Sequence, residues 1–295
     1  MDFIPLNIDS KNIINDFFKK SYIQASDALF GNLYIWHFSR KIEYVILHEC
    51  LVIITTYPNN LPFIFYPLGE GDRKKAIQNL IEYFSSINIP LCIHSMEISQ
   101  KEELISFMPD TFTIEQNRDR FDYLYSVEDL INLNGRKYHN KKNHLNRFFA
   151  TYPNFVYEKI DCNNAKWVLS CYKDWLIDSN NLTDGLRNES LGIEACLNNF
   201  HALEMRGGMI KIDDTLAAFS LGEQINSDSV VIHIEKANKN YTGIYQAINQ
   251  QFLENEWSEF KFVNREEDLG IEGLRKAKMT YHPIAFVEKF YAKQK

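Results

Sequence analysis

One succession of sequence patterns occurs twice in this chain, about 166 to 172 residues apart, and such a period marks a duplicated fold rather than one extended sheet. In the first half, Leu29, Leu33 and Trp36 stand at helical spacing within residues 26–38, and extended runs follow at 43–48, 51–57 and 62–67. A helix over 72–84, a strand over 91–96, a short helix over 100–107 and an extended stretch rich in Phe and Tyr over 111–125 complete the set. The second half repeats the order: a helix over 193–203, strands over 209–213, over 216–225 and from Ser229, and a helix over 242–257. A strand over 260–265, a short helix from Ile271 and a last strand over 284–291 complete it. Residue identity between the halves is low, so element order and spacing carry the recurrence. The expected fold is α+β with two mixed, twisted sheets flanked by helices, divided into residues 1–128 and 129–295.

Local signals sharpen the second half. Asp213-Asp214 suits the φ > 0 corner of a tight hairpin between two strands. In the helix over 242–257, Ile244, Ala247, Ile248, Gln251 and Phe252 fall near one face, so that helix must lie on a sheet. Between the halves, residues 135–150 predict a helix with Tyr138, Leu145, Phe148 and Phe149 as its apolar residues, and residues 163–176 predict another. The composition Asp178-Ser179-Asn180-Asn181, with Asp184-Gly185 after it, predicts a loop between 176 and 191.

At 295 residues, with 45% hydrophobic and 24% charged residues, the chain suits two ordinary globular domains. No apolar run approaches the roughly 18 residues of a membrane span, and the first residues lack the basic start of a secretion signal, so a cytoplasmic location is expected. The 5 cysteines include no Cys-x-x-Cys pair, which indicates neither a disulfide framework nor a metal site. A net charge of −7 argues against a protein that coats DNA, while leaving room for a local basic patch.

Several motifs resemble one family. Gly207-Gly208, Ile232-His233-Ile234-Glu235-Lys236-Ala237, Asn264-Arg265-Glu266-Glu267-Asp268-Leu269-Gly270 and Gly273-Leu274-Arg275-Lys276-Ala277-Lys278 are similar to a soluble bacterial family related to the C-terminal catalytic domain of phosphatidylglycerol lysyltransferases. The stretch from Gly135 to His144 adds to the likeness, which rests on motifs over about the last 160 residues and on topology before them. The resemblance implies two tandem folds of the GNAT acetyltransferase type. It also implies transfer of an aminoacyl group from aminoacyl-tRNA. The membrane-bound relatives pass that group to a lipid, but this sequence has no transmembrane flippase half, so a small-molecule or peptide acceptor with an amine or hydroxyl is expected. The open alternatives are an acyl-CoA-dependent N-acyltransferase and a non-catalytic ligand-binding protein on the same fold.

Candidate site residues follow. Asn240, Gly243 and Tyr245 match the place where acetyl-CoA-dependent members of the superfold hold pyrophosphate on a helix N-terminus. Gly243 would let backbone amides approach an anion and Tyr245 would crowd it, so a donor site and an ordinary helix start both stay open. Gly69 and Gly71 also open a helix, but Glu70 and Asp72 repel an anion there, and Asp72 suits an N-cap. His233 and Glu235 are expected on one strand face, where Glu235 can take a proton from an attacking amine; pairing with Lys236 or Arg265 is the alternative. Arg265 joins them as a catalytic candidate. The acids at 266–268 with Arg275, Lys276 and Lys278 also suit helix ends. Finally, Arg136, Lys137, Lys141, Lys142 and Arg147, with His139 and His144, form a run without one acid. On a helix, Lys137, Lys141 and His144 would share a face and present a positive ridge to phosphates, tRNA being the expected partner.

Overall fold

The extended runs of the first half become strands β1 (Ile4–Pro5), β2 (Lys41–Leu47), β3 (Cys50–Thr56), β4 (Phe63–Phe65), β5 (Cys92–Met96), β6 (Phe112–Gln116) and β7 (Asp122–Ser126). Helices α1 (Lys11–Lys19), α2 (Phe30–Trp36), α3 (Arg73–Ser86) and α4 (Ile98–Phe107) accompany them in this computed structural model, which describes residues 1–178 and 183–295. The later part of the chain supplies α5 (Val127–Asn132), α6 (His139–Thr151), β8 (Val156–Ile160), α7 (Ala165–Asp178), α8 (Asp184–Asn198) and α9 (Phe200–Leu203). After these come β9 (Arg206–Ile212), β10 (Thr215–Gln224), β11 (Ser229–Ala237), α10 (Ile244–Glu256), β12 (Phe262–Asn264), α11 (Glu272–Met279), β13 (Ala285–Val287) and β14 (Phe290–Gln294).

Both sheets are mixed and share one plan. The first runs β1-β2-β3-β4-β5-β14-β6 and the second β13-β7-β12-β11-β10-β9-β8. Each holds a parallel pair, β4 with β5 and β11 with β12, bridged by the long helix α3 or α10. A parallel pair needs such a crossover, and α3 stands in the first sheet's plan where α10 stands in the second's. Asp72 caps α3 by accepting the Lys75 amide at 3.0 Å, so the N-cap reading holds. Ala76, Ile77, Leu80 and Phe84 then bury one stripe of α3 against Ile64 and Ile93 of the sheet. On α10, Ile244, Ala247, Ile248 and Phe252 are buried in the same manner.

Two expectations need correction. The halves do not divide at residue 128: the compact units are Met1–Asp122 with Val287–Lys295, and Tyr123–Phe286. Each half gives its last strand to the other sheet, β14 lying between β5 and β6 and β7 between β12 and β13. An exchanged strand satisfies as many ladder hydrogen bonds as a retained one, so its sequence does not say which sheet it joins. Second, Asp184-Gly185 opens α8 rather than a loop, because the Thr183 hydroxyl accepts the Leu186 amide at 3.3 Å. Residues 179–182 of that predicted loop lie outside the described residues. The Asp213-Asp214 corner is as expected, with φ of 50° and 58°.

Candidate active site

In the C-terminal unit the parallel pair is short. Strand β11 continues to Ala237, but it pairs with β12 only from Ser229↔Phe262 to Val231↔Asn264. Beyond Val231 the strands part, and side chains bridge the gap where backbone hydrogen bonds end. His233 and Glu235 of β11 face Glu266 and Arg265, which follow β12.

His233 and Glu235 do not act as one expected face. Ile232 pairs with Gly222 and Ile234 with Leu221, so His233 is the extra residue of a β-bulge. Gly222 is required opposite it, since a Cβ there would meet the Val231 carbonyl oxygen at 2.4 Å. The bulge reverses the alternation: Val230 and Ile232 pack with Phe252 and Leu253 of α10, and Glu235 turns to the same helix, accepting from Asn249 Nδ2 at 3.1 Å.

His233 is a clamped cation. Its Nδ1 lies 2.7 Å from Glu266 and its Nε2 2.9 Å from Glu223, with the ring 1% exposed. Burial alone would lower its pKa, but the two carboxylates outweigh burial and push it up to about 10. An imidazolium held by two acids is a poor acceptor for a proton at neutral pH, so His233 serves to fix the splay.

Glu235 and Arg265 form the second bridge, at 3.0 Å, with each side chain 14% exposed. The Arg265 guanidinium lies over the Tyr281 ring at 5.0 Å, and Lys141 Nζ lies over that ring at 4.0 Å. Burial and the nearby Arg265 charge lower the Lys141 amine to about 8, against the opposing pull of Glu235. Burial pushes the Tyr281 phenol up to about 12, where it bonds with Gln246 and Arg265. Tyr245 faces Glu235 and Glu189 and receives a hydrogen bond from the Ala237 backbone. Lys236 pairs with Glu189 at 2.6 Å, leaving Arg265 as the cation on Glu235. A carboxylate, a guanidinium and an amine that titrates near pH 8 thus meet at the end of the splay. That set can shuttle a proton and stabilise a developing oxyanion.

The loop after β12 is tied down by Asp268, which accepts from Arg275 Nε and Nη2, each at 2.8 Å, and from the Tyr123 hydroxyl at 2.5 Å. Arg275 is therefore a structural partner of the acidic run as well as a helix-end cation.

The helix after Gly135 differs from its expected role. Residues Arg136–Tyr138 form a 3-10 turn ahead of α6. Lys141 does not stand with Lys137 on an outer ridge; it points inward to Tyr281 and Arg265, a role that its place in a run of bases concealed. Lys137 pairs with Asp129 at 3.2 Å, and Lys142 reaches the Asn132 carbonyl and Asn134 Oδ1, each at 3.4 Å. Arg136 and Arg147 are exposed.

The donor-site candidates separate too. Gly243 has φ of 81°, and a Cβ there would meet the His144 carbonyl oxygen at 2.5 Å. The start of α10 is therefore covered by α6, and a pyrophosphate laid on those amides would have to displace it. Asn240 is exposed, its amide held by Asn238 Oδ1 at 3.0 Å. A cavity of about 560 Å³ lies in the N-terminal unit. Nothing in the sequence pointed to Asn249 and Gln246, since a polar residue on a mostly apolar helix carries no signal of its partner, or to Tyr281, which lies in a turn far from both in the chain. Among the described residues, no helix is long and apolar enough to cross a membrane.

The family described as "Phosphatidylglycerol lysyltransferase, C-terminal" matches residues 19–293. A crystal structure of a conserved protein of unknown function from Bacteroides thetaiotaomicron is 31% identical, covers 100% of both chains and superposes with a TM-score of 0.93. The structure of L-PGS from Bacillus licheniformis is 11% identical with a TM-score of 0.66, over 96% of this chain and 91% of that one. A tandem GNAT protein from the clavulanic acid biosynthesis pathway is 7% identical with a TM-score of 0.52, over 99% and 98% of the two chains. The fold is thus a pair of tandem GNAT-like folds, as the topology also shows.

Proposed function

Because the chain belongs to the phosphatidylglycerol lysyltransferase C-terminal family, we propose that it moves an aminoacyl group from aminoacyl-tRNA to a small-molecule or peptide acceptor bearing an amine or hydroxyl. The observation that carries this reading is the meeting of Lys141, Arg265 and Glu235 around Tyr281. The acceptor's nitrogen or oxygen attacks the aminoacyl ester carbonyl. Its bond to carbon forms as the ester bond to the ribose oxygen breaks. The acceptor's proton passes to the neutral Lys141 amine and from there to the departing ribose oxygen. Arg265 offers N–H donors to the carbonyl oxygen as that atom gains charge. Glu235, bonded on one oxygen by Arg265 and on the other by Asn249, positions the guanidinium.

An acyl-CoA donor lacks comparable support, because α6 covers the helix start that would take its pyrophosphate. The test is incubation of the full chain with tRNA charged with one radiolabelled amino acid at a time, in the presence of mixed amine and hydroxyl acceptors, with products read by mass spectrometry. Loss of label faster than spontaneous hydrolysis, slowed at least about a hundredfold by Lys141→Met, is expected. No acceleration with any aminoacyl-tRNA sinks the reading.

A further inference from the structure

The N-terminal unit holds a cavity of about 560 Å³, lined wholly by its own residues. It lies on the sheet face opposite α3. Along β4 and β5, Ile64 and Ile93 turn to the α3 core, while Phe63, Phe65, Cys92 and His94 alternate into the cavity.

The cavity wall is a row of rings drawn from four segments. Tyr57 stacks with Phe63 at 6.2 Å, Phe63 lies parallel to His94 at 4.0 Å and 14°, and His94 meets Tyr291 at 6.0 Å. His94 belongs to the row as a neutral ring, since burial and the nearby Arg120 charge lower its pKa to about 4.

Cations outnumber acids among the residues that line this wall. Asp27 is the one acid among the lining residues, and Lys289 is paired with it and with Asp122 behind the wall. The guanidiniums of Arg40 and Arg120 line the same space, and the Arg120 charge also acts on Asp27. Arg40 donates from Nη1 to the Tyr57 hydroxyl at 2.8 Å, which sets its plane beside the ring row. Its Nε is buried and has no hydrogen-bond partner among the described residues, an unmet donor of the kind that a bound acceptor satisfies.

We propose that this cavity is a binding site for a small anion carried on a flat aromatic body, with the body on the Tyr57–Phe63–His94–Tyr291 row and the phosphate or carboxylate on Arg40 and Arg120. Guanidinium groups suit both anions, and aromatic rows hold planar bodies by stacking. The volume falls within the range of about 300–1,000 Å³ in which small-molecule sites lie. The cavity shares no residue with the Lys141 cluster, and the proposal does not depend on the transfer proposed there.

The test is calorimetric titration of the full chain with adenosine 5′-monophosphate, benzoate and inorganic phosphate at low salt. At least one of the two aryl anions is expected to bind about tenfold or more tightly than inorganic phosphate. Arg40→Gln, Arg120→Gln and Phe63→Leu should each weaken that binding by about tenfold without lowering the melting temperature, the three serving as checks on one another's folding. Binding of neither aryl anion more tightly than inorganic phosphate, or binding unchanged in every folded variant, overturns the proposal.

Discussion

Lys289 Nζ donates to Asp122 Oδ1 across 2.6 Å inside the N-terminal unit, and the two residues stand at the start of the strands that the halves exchange. Asp122 opens β7 and Lys289 immediately precedes β14. The lysine is 1% exposed and the aspartate 0%; Asp27 also pairs with Lys289, and the Ser26 amide and hydroxyl donate to Asp122 Oδ2 at 3.1 and 3.2 Å. Lys289→Met would leave two carboxylates buried without their cation, a change that costs about 3–5 kcal/mol. Urea unfolding should show that loss, and adding Asp122→Asn should recover part of it.

The same cluster makes an acid prediction. Burial would raise the Asp27 carboxyl, but the charge and hydrogen bond of Lys289 hold it below its ordinary value. A depressed carboxyl contributes stability above its unfolded pKa of about 3.9, and that stability is lost as pH falls through the folded value. Wild type should therefore keep between pH 5 and 4 a margin over Lys289→Met that narrows at lower pH, as read by circular dichroism.

His233 predicts the opposite sign. A pKa raised to about 10 means that the imidazolium contributes its full stability below its unfolded value, about 6.5, and loses it as pH rises toward 10. Nitrogen chemical shifts should show both ring nitrogens of His233 still protonated at pH 8. A neutral ring at that pH would refute the clamp between Glu223 and Glu266.

Much of this architecture is legible in the sequence because its causes are local. The stripe Ile244, Ala247, Ile248 and Phe252 and the paired positive φ at Asp213-Asp214 depend on neighbours a few residues away. The strand exchange is not local: β7 and β14 carry the same extended pattern whichever sheet they join. The site was half legible. Glu235 and Arg265 do pair, the alternative that the sequence left open beside a proton-accepting role for Glu235, but the bulge at His233 changes which residues share a face, and nothing in the strand's alternation announces it. Lys141 was read as surface charge because a run of bases does not reveal that Tyr281, from a distant segment, supplies the ring beneath one of them.

If the Lys141 amine accepts the acceptor's proton, transfer should follow its deprotonation. The rate with aminoacyl-tRNA should rise with pH up to about 8, where the amine titrates, and level off above it. Lys141→Arg keeps the charge but cannot deprotonate, and should be as slow as Lys141→Met. A flat profile between pH 6 and 9, corrected for spontaneous ester hydrolysis, would remove the amine from the mechanism.

Gly243 is predicted to be a packing residue. Gly243→Ala combines a positive φ with a Cβ placed 2.5 Å from the His144 carbonyl oxygen and 3.0 Å from Phe148 Cβ. The strain should cost about 1–3 kcal/mol in urea unfolding. Because α6 carries Lys141, any shift of the helix should also lower the transfer rate. An unchanged stability would mean that α6 does not press on the start of α10.

The last prediction concerns tRNA. With Lys141 turned inward and Lys137 paired to Asp129, the bases that α6 and its leading turn present outward are Arg136, Lys142 and Arg147, in a chain of net charge −7. Like charges held close together repel. If each base neutralises one phosphate, counterion release sets the fall of log affinity with log salt at a slope of about −2 to −3. Arg136→Glu, Lys142→Glu and Arg147→Glu together should weaken binding of total tRNA steeply at low salt and flatten that slope, while leaving the Lys141 titration near pH 8 in place. Filter binding across several salt concentrations gives the slope. Equal tRNA affinity in wild type and triple variant would place the nucleic acid elsewhere on the molecule. Absence of binding even at low salt would remove tRNA as the donor's carrier and with it the aminoacyl reading of the site.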